Sequence, residues 1–221
     1  MTEAFGGFRG FSDETLTFYD GLEADNSKAY WQDRREVFER AVRGPMAALL
    51  GALEPEFGPG RMFRPYRDIR FSKDKTPYKT EQGAVVAHPG GAASWYVRVD
   101  GSGLLLGGGV MQLAAGQLAR YRAALDADRT GKSFAAAVKR LLGKGWTTMG
   151  DTLVRVPRGL DPDHPRAELL KHKSLALVLD LGDPEWFTTP ACLDEVVRGW
   201  RAVSPVLDWL GEHVGPAQPT S

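Results

Sequence analysis

Along the first quarter of the chain the apolar residues recur at intervals of three and four. From about position 61 to 110 the interval shortens to two. FSDETLTFYDGL predicts a short helix, with Ser12 as N-cap because its hydroxyl can take an otherwise orphan backbone N–H. Asp13 and Glu14 suit the positive end of its dipole, and Leu16, Tyr19 and Leu22 form its apolar stripe. Asn26 reads as the cap of a longer helix starting near Ser27, on which Tyr30, Trp31, Arg34, Val37, Phe38, Ala41 and Val42 repeat at helical spacing. Pro45 should kink that helix or begin another through Leu53.

Alternation then predicts strands at 61–71, 83–88 and 94–100, with LLLGGGV as the hairpin partner of the last. Helices are expected over 114–127 and 132–142, the second capped near Thr130. A short strand at 152–156, a helix at 164–173 and a buried strand at 174–181 follow. The last helix runs over 190–214 with a kink at Pro205. This order gives an α+β class: a central antiparallel sheet, built as a meander, flanked by N-terminal and C-terminal helices. One domain over 1–214 and a disordered tail at 215–221 complete the expected organisation.

Composition narrows the chemistry. The chain has 221 residues, 43% of them hydrophobic, and a net charge of zero, so no whole-protein field draws it to nucleic acid or an anionic membrane. Electrostatic recognition must be local. The single cysteine, Cys192, allows no internal disulfide and reads as a small core hydrophobe. The N-terminus lacks a signal-peptide pattern, and no apolar run approaches the roughly 18 residues of a membrane span, so a cytoplasmic protein is expected.

The local charge lies in RMFRPYRDIRFSKDKTPYKT, residues 61–80, with seven cations in twenty residues. Read as a strand, Phe63, Ile69 and Phe71 seek the core, while Arg64, Tyr66, Asp68 and Arg70 make a polar stripe that Tyr96 and Arg98 can extend. Strict alternation aims Arg67 inward, which requires a bulge or a carboxylate partner. The following loop carries Lys73, Asp74, Lys75, Tyr78 and Lys79. The functional reading is a site for a small phosphate- or carboxylate-bearing ligand, formed by Arg64, Arg67, Asp68, Arg70, Lys75, Tyr78 and Lys79. The alternatives are a structural or interaction module with an internal ion-pair network, and a nucleic-acid surface with Tyr66, Tyr78 and Tyr96 as stacking platforms.

At FRPYRDIRFSKDKTPYKT the sequence resembles the domain of unknown function 2461 family of bacteria and fungi, over nearly the whole chain. Asn26, Trp31, Pro45, the glycines at 107–109, Pro157, Gly159, His164, Leu170 and Lys173 also match. The run from Arg67 to Lys79 is its most specific part. The family has a second asparagine and an aromatic pair near Asn26, where this chain has Asn26-Ser27 and Tyr30-Trp31, which favours a helix-start role for Asn26. The resemblance implies an intact fold and an important basic stretch, and brings no activity with it.

Other motifs are weaker. Gly131-Lys132-Ser133 ends like a phosphate loop, but Asp126 stands where the first glycine belongs and no strand precedes it. The glycines at 107–109 read as a bulge or close packing at a strand end. The four histidines have no metal-ligand spacing, so no metal site is expected, and no motif names a cofactor or catalytic residue. His164, near Asp161 and Asp163, is the histidine best placed to join a site.

Overall fold

The computed structural model describes residues 7–70 and 72–217. Helix α1 (Asp13–Ala24) buries Thr15, Phe18, Tyr19 and Leu22, so its inner face is rotated from the expected stripe and Leu16 is only half-buried. The polar Thr15 is at home there because its Oγ1 donates to the Ala41 carbonyl at 2.7 Å. Ser12 is the N-cap, and its backbone N–H donates back to Thr15 Oγ1 at 3.3 Å.

Helix α2 (Lys28–Asp33) is capped by Ser27, whose hydroxyl accepts the Tyr30 N–H at 3.1 Å, and not by Asn26. After α3 (Arg35–Val37) the chain widens into a π-helical turn (Phe38–Arg43) that leads directly into α4 (Gly44–Phe57). Pro45 therefore lies in the first turn of α4, which it begins as one of the two expected readings had it, within a continuous helical path. Proline has no N–H for the carbonyl four residues back, and that carbonyl is Ala41, the group that Thr15 satisfies.

The six-stranded antiparallel sheet has the order β1-β2-β3-β4-β6-β5. Its strands are β1 (Gly60–Met62), β2 (Glu81–Ala87), β3 (Ser94–Asp100), β4 (Gly103–Val110), β5 (Thr147–Met149) and β6 (Leu175–Gly182). The first four form the expected meander, and the fold class is α+β. Helices α5 (Ala115–Asp126) and α6 (Asp128–Leu142) follow β4, the single turn α7 (Ala167–Leu170) precedes β6, and α8 (Ala191–His213) closes the order.

Several boundaries differ from the pattern. The strand expected at 152–156 lies instead at β5. Gly150, at φ +131°, turns the chain, and beyond it Thr152 makes only an isolated bridge to His172. The helix expected over 164–173 shrinks to α7, and at its far end the Lys173 N–H is taken by the Asp151 carbonyl at 2.7 Å instead of by a helical partner. Helix α6 starts before Thr130, whose hydroxyl reaches back to the Ala124 carbonyl at 2.5 Å.

Close contacts divide the chain into two compact units. The first comprises residues up to Val86, Tyr96–Leu106 and Asp180–Arg198. Its core includes Phe18, Trp31 and Phe38, with Trp31 and Phe38 ring centroids 4.8 Å apart. The second comprises Ala87–Trp95, Gly107–Leu179 and Gly199 onward. There Trp209 lies 4.2 Å from Phe134, centroid to centroid, and donates its indole N–H to the Thr130 carbonyl at 3.0 Å. Gly108 lets α8 approach β4, since a Cβ there would come within 2.7 Å of Val203. At the C-terminal end, the carbonyls of Val214, Gly215 and Pro216 accept from Arg120 and Gln117. The expected tail beyond residue 217 lies outside the described residues.

Candidate functional site

The basic stretch leaves the sheet sooner than its alternation implies. Strand β1 ends at Met62, and Phe63 adds one further bond, from its N–H to the Gly83 carbonyl at 2.9 Å. Pro65 then removes a ladder donor. The chain runs out and returns as a narrow loop, held by Lys79 N–H to Pro65 O at 2.8 Å and Arg67 N–H to Pro77 O at 2.9 Å. The Tyr66–Tyr78 bridge lies between those two bonds. The expected strand over 61–71 is thus corrected to three residues and an extended loop. The alternation itself survives as exposure: Arg64, Tyr66, Asp68 and Arg70 face solvent, and Phe63, Arg67 and Ile69 are half-buried. Phe71 lies outside the described residues.

Most of the loop's charge is engaged within the loop. Arg67 meets Asp74 through Nη1, which also donates to Thr76 Oγ1. Asp74 also accepts from the Thr76 backbone N–H at 2.9 Å and the Thr76 hydroxyl at 2.8 Å. These Thr76 bonds, with the Arg67 guanidinium added, hold the Asp74 carboxyl down at about 2. Arg70 forks onto Asp68, with Nε at 3.0 Å from one oxygen and Nη2 at 2.7 Å from the other. That contact lowers the Asp68 pKa, the neighbouring Arg64 adding a smaller effect in the same direction. Lys75 Nζ donates to the Ile69 carbonyl at 3.0 Å. Lys79 and Arg61 place their cations 5.1 and 5.3 Å from the centroid of the Phe63 ring. On β3, Arg98 bridges Glu81 at 3.3 Å and Asp100 at 2.9 Å.

Tyr78 anchors the loop. Its ring is buried and stacked on Trp31 at 4.3 Å and 7°, and that burial raises the pKa of its phenol. Its backbone is gripped by Asn26, whose Nδ2 donates to the Tyr78 carbonyl at 3.1 Å while Oδ1 accepts the Tyr78 N–H at 3.0 Å. Asn26 therefore acts as one rung of a ladder, and Ser27 supplies the helix cap. This corrects the helix-start role read from the sequence.

Beside β1 and the start of the loop, within the first unit, lies a groove of about 510 Å³. Arg35, Glu39 and Arg43 line it from the helical side, and Arg61 and Arg64 from β1 and the loop. Four guanidiniums face one carboxylate, and that carboxylate, Glu39, pairs with Arg43 at 2.8 Å. Among the described residues Arg35, Arg61 and Arg64 take part in no ion pair. Trp31, Phe38, Phe63 and Tyr66 give the groove its aromatic wall. Sequence reasoning placed Arg64 at the site and missed Arg35, Arg43 and Arg61. The available signal was the Arg35-Glu39-Arg43 spacing, which puts three charges on one helical face.

The remaining candidates have structural partners. His164 accepts the Arg166 backbone N–H at Nδ1, 3.0 Å away, and faces Asp126 at 3.7 Å rather than Asp161 or Asp163. Arg166 is 5% exposed and caps the end of α5, bonding the Leu125 carbonyl at 2.6 Å, the Asp126 carbonyl at 2.9 Å and the Asp128 carboxylate at 2.9 Å. Gly131, Lys132 and Ser133 lie inside α6. Gly131 is packed so closely that a Cβ would sit 2.1 Å from the Leu125 carbonyl oxygen. Cys192 is buried, and burial pushes its thiol up to about 12. Among the described residues no acidic, histidine or cysteine cluster can hold a metal ion, and no helix is long and apolar enough to cross a membrane.

The fold and groove define an α+β protein with a basic, aromatic-lined cleft beside the first sheet edge. The family described as a conserved hypothetical protein (DUF2461) matches residues 14–209, and the chain belongs to that family. No curated protein matches it.

Proposed function

We propose that the groove lined by Arg35, Arg43, Arg61 and Arg64 binds a small phosphate- or carboxylate-bearing ligand. The observation that carries this reading is the contrast between two sets of arginines. Arg67 and Arg70 are matched within the loop by Asp74 and Asp68, whereas Arg35, Arg61 and Arg64 line one cavity with no carboxylate partner among the described residues. A guanidinium fork suits either anion, and the volume falls in the range of small-molecule sites. Of the loop residues first singled out, Arg67, Tyr78 and Lys79 then act as the frame that holds Arg64 in place, while Asp68, Arg70 and Lys75 are engaged farther out in the loop. Calorimetric titration with pyrophosphate tests the reading. Arg61→Ala and Arg64→Ala should each weaken binding by about tenfold, consistent with loss of a charge-assisted contact. Arg70→Ala should leave it nearly unchanged. Equal affinity in the wild type and a double Arg61→Ala, Arg64→Ala variant overturns it.

A structural role for the loop itself stands beside this, supported by the same internal pairs. A nucleic-acid surface has less support, because of its three candidate platforms only Tyr66 is exposed; Tyr78 is buried and Tyr96 half-buried.

A further inference from the structure

We infer that the groove's ligand is an aromatic anion, one whose phosphate or carboxylate is attached to a planar ring that stacks on Tyr66. This rests on the groove being an anion site and adds the chemistry of the rest of the ligand. Three of the four aromatic rings in the lining are already occupied: Trp31 and Phe38 are buried at 6% and 3% exposure, and Phe63 carries the cations of Arg61 and Lys79. Tyr66 is different. It is 53% exposed and lies against Trp31 at 6.1 Å and Tyr78 at 5.5 Å, both rings tilted to it, so it is held by its neighbours while more than half of it stays open to solvent. Arg64 and Tyr66 are two positions apart in an extended segment and both are exposed, so they present to the same side at a spacing of roughly 7 Å. An anion on Arg64 would therefore place its substituent beside the Tyr66 face. A large aromatic face open to solvent inside a basic cleft fits a partner that supplies both charge and a π surface.

The test compares phenyl phosphate with glycerol 3-phosphate, which carry the same anionic group, in wild type, Tyr66→Phe and Tyr66→Leu. Phenyl phosphate should bind the wild type about five- to tenfold more tightly, in line with the worth of an aromatic pair. Tyr66→Phe should keep that preference. Tyr66→Leu should abolish it while leaving glycerol 3-phosphate affinity unchanged, which a merely structural role for the ring would not do. Equal wild-type affinities for the two compounds overturn the inference and leave the anion site standing. Equal weakening of both by Tyr66→Leu also overturns it. If neither compound binds the wild type at low salt, the anion site falls and this inference falls with it.

Discussion

Asn26 illustrates how far a single residue can be read. Its place before a helix made a capping role natural, yet the adjacent Ser27 takes that role and Asn26 bonds the backbone 52 positions away. No local pattern contains that partner. Asn26→Ala should lower stability by about 1–2 kcal/mol through two lost hydrogen bonds, measured by urea denaturation. Asn26→Asp, which can accept but not donate once ionised, should fall between. Arg67 was more legible: alternation identified it as a cation aimed inward and needing either a bulge or a carboxylate, and the structure supplies the carboxylate, Asp74, with Arg67 half-buried. Asp74 in turn has a pH signature. Its folded pKa, near 2, is below the ordinary value near 4, so ionised Asp74 contributes stability above about pH 4 and loses it as the pH falls toward 2. Carboxyl NMR titration should give Asp74 a midpoint below those of unpaired aspartates. Arg67→Ala should raise that midpoint only in part, since the Thr76 bonds are the larger cause.

Among the elements, the meander, strand β6 and the long last helix follow directly from period and length, although β6 is buried only over residues 175–177 and not along its whole length as expected. What did not follow is where elements stop. Pro65 lies within an alternating run whose exposure pattern continues, so the sequence cannot distinguish a strand from an extended loop until the partner strand is known. Gly150 ends β5 by its backbone angle, which composition does not reveal. Within the π-helical turn before Pro45, the Ala41 carbonyl accepts from Thr15, 26 positions before it. Thr15→Val removes the hydroxyl but keeps the shape, and should cost about 1–3 kcal/mol by leaving the Ala41 carbonyl unsatisfied. In a Pro45→Ala background a backbone N–H becomes available to that carbonyl, and the cost should shrink. A double-mutant cycle by thermal denaturation measures the difference.

At the scale of the molecule, zero net charge directed attention to a local patch, and the α+β class was legible from element order. The groove was not legible, because Arg35 and Arg43 meet Arg61 and Arg64 only after the helical segment packs beside β1. Cys192 gives a probe of the whole fold. Buried and with its thiol pushed up to about 12, it should resist a maleimide in native buffer and react readily in denaturant, with native labelling tracking opening of the core. The Asn26 clamp offers a finer reporter. A ladder amide is protected by a neighbouring strand, but the Tyr78 amide proton is held by one side chain, across a chain closure whose entropy is recovered only once α2 has docked. Its exchange with deuterium therefore times the undocking of the basic loop independently of the sheet, and a ligand seated in the groove would slow that single proton while leaving the amides of β3 unchanged.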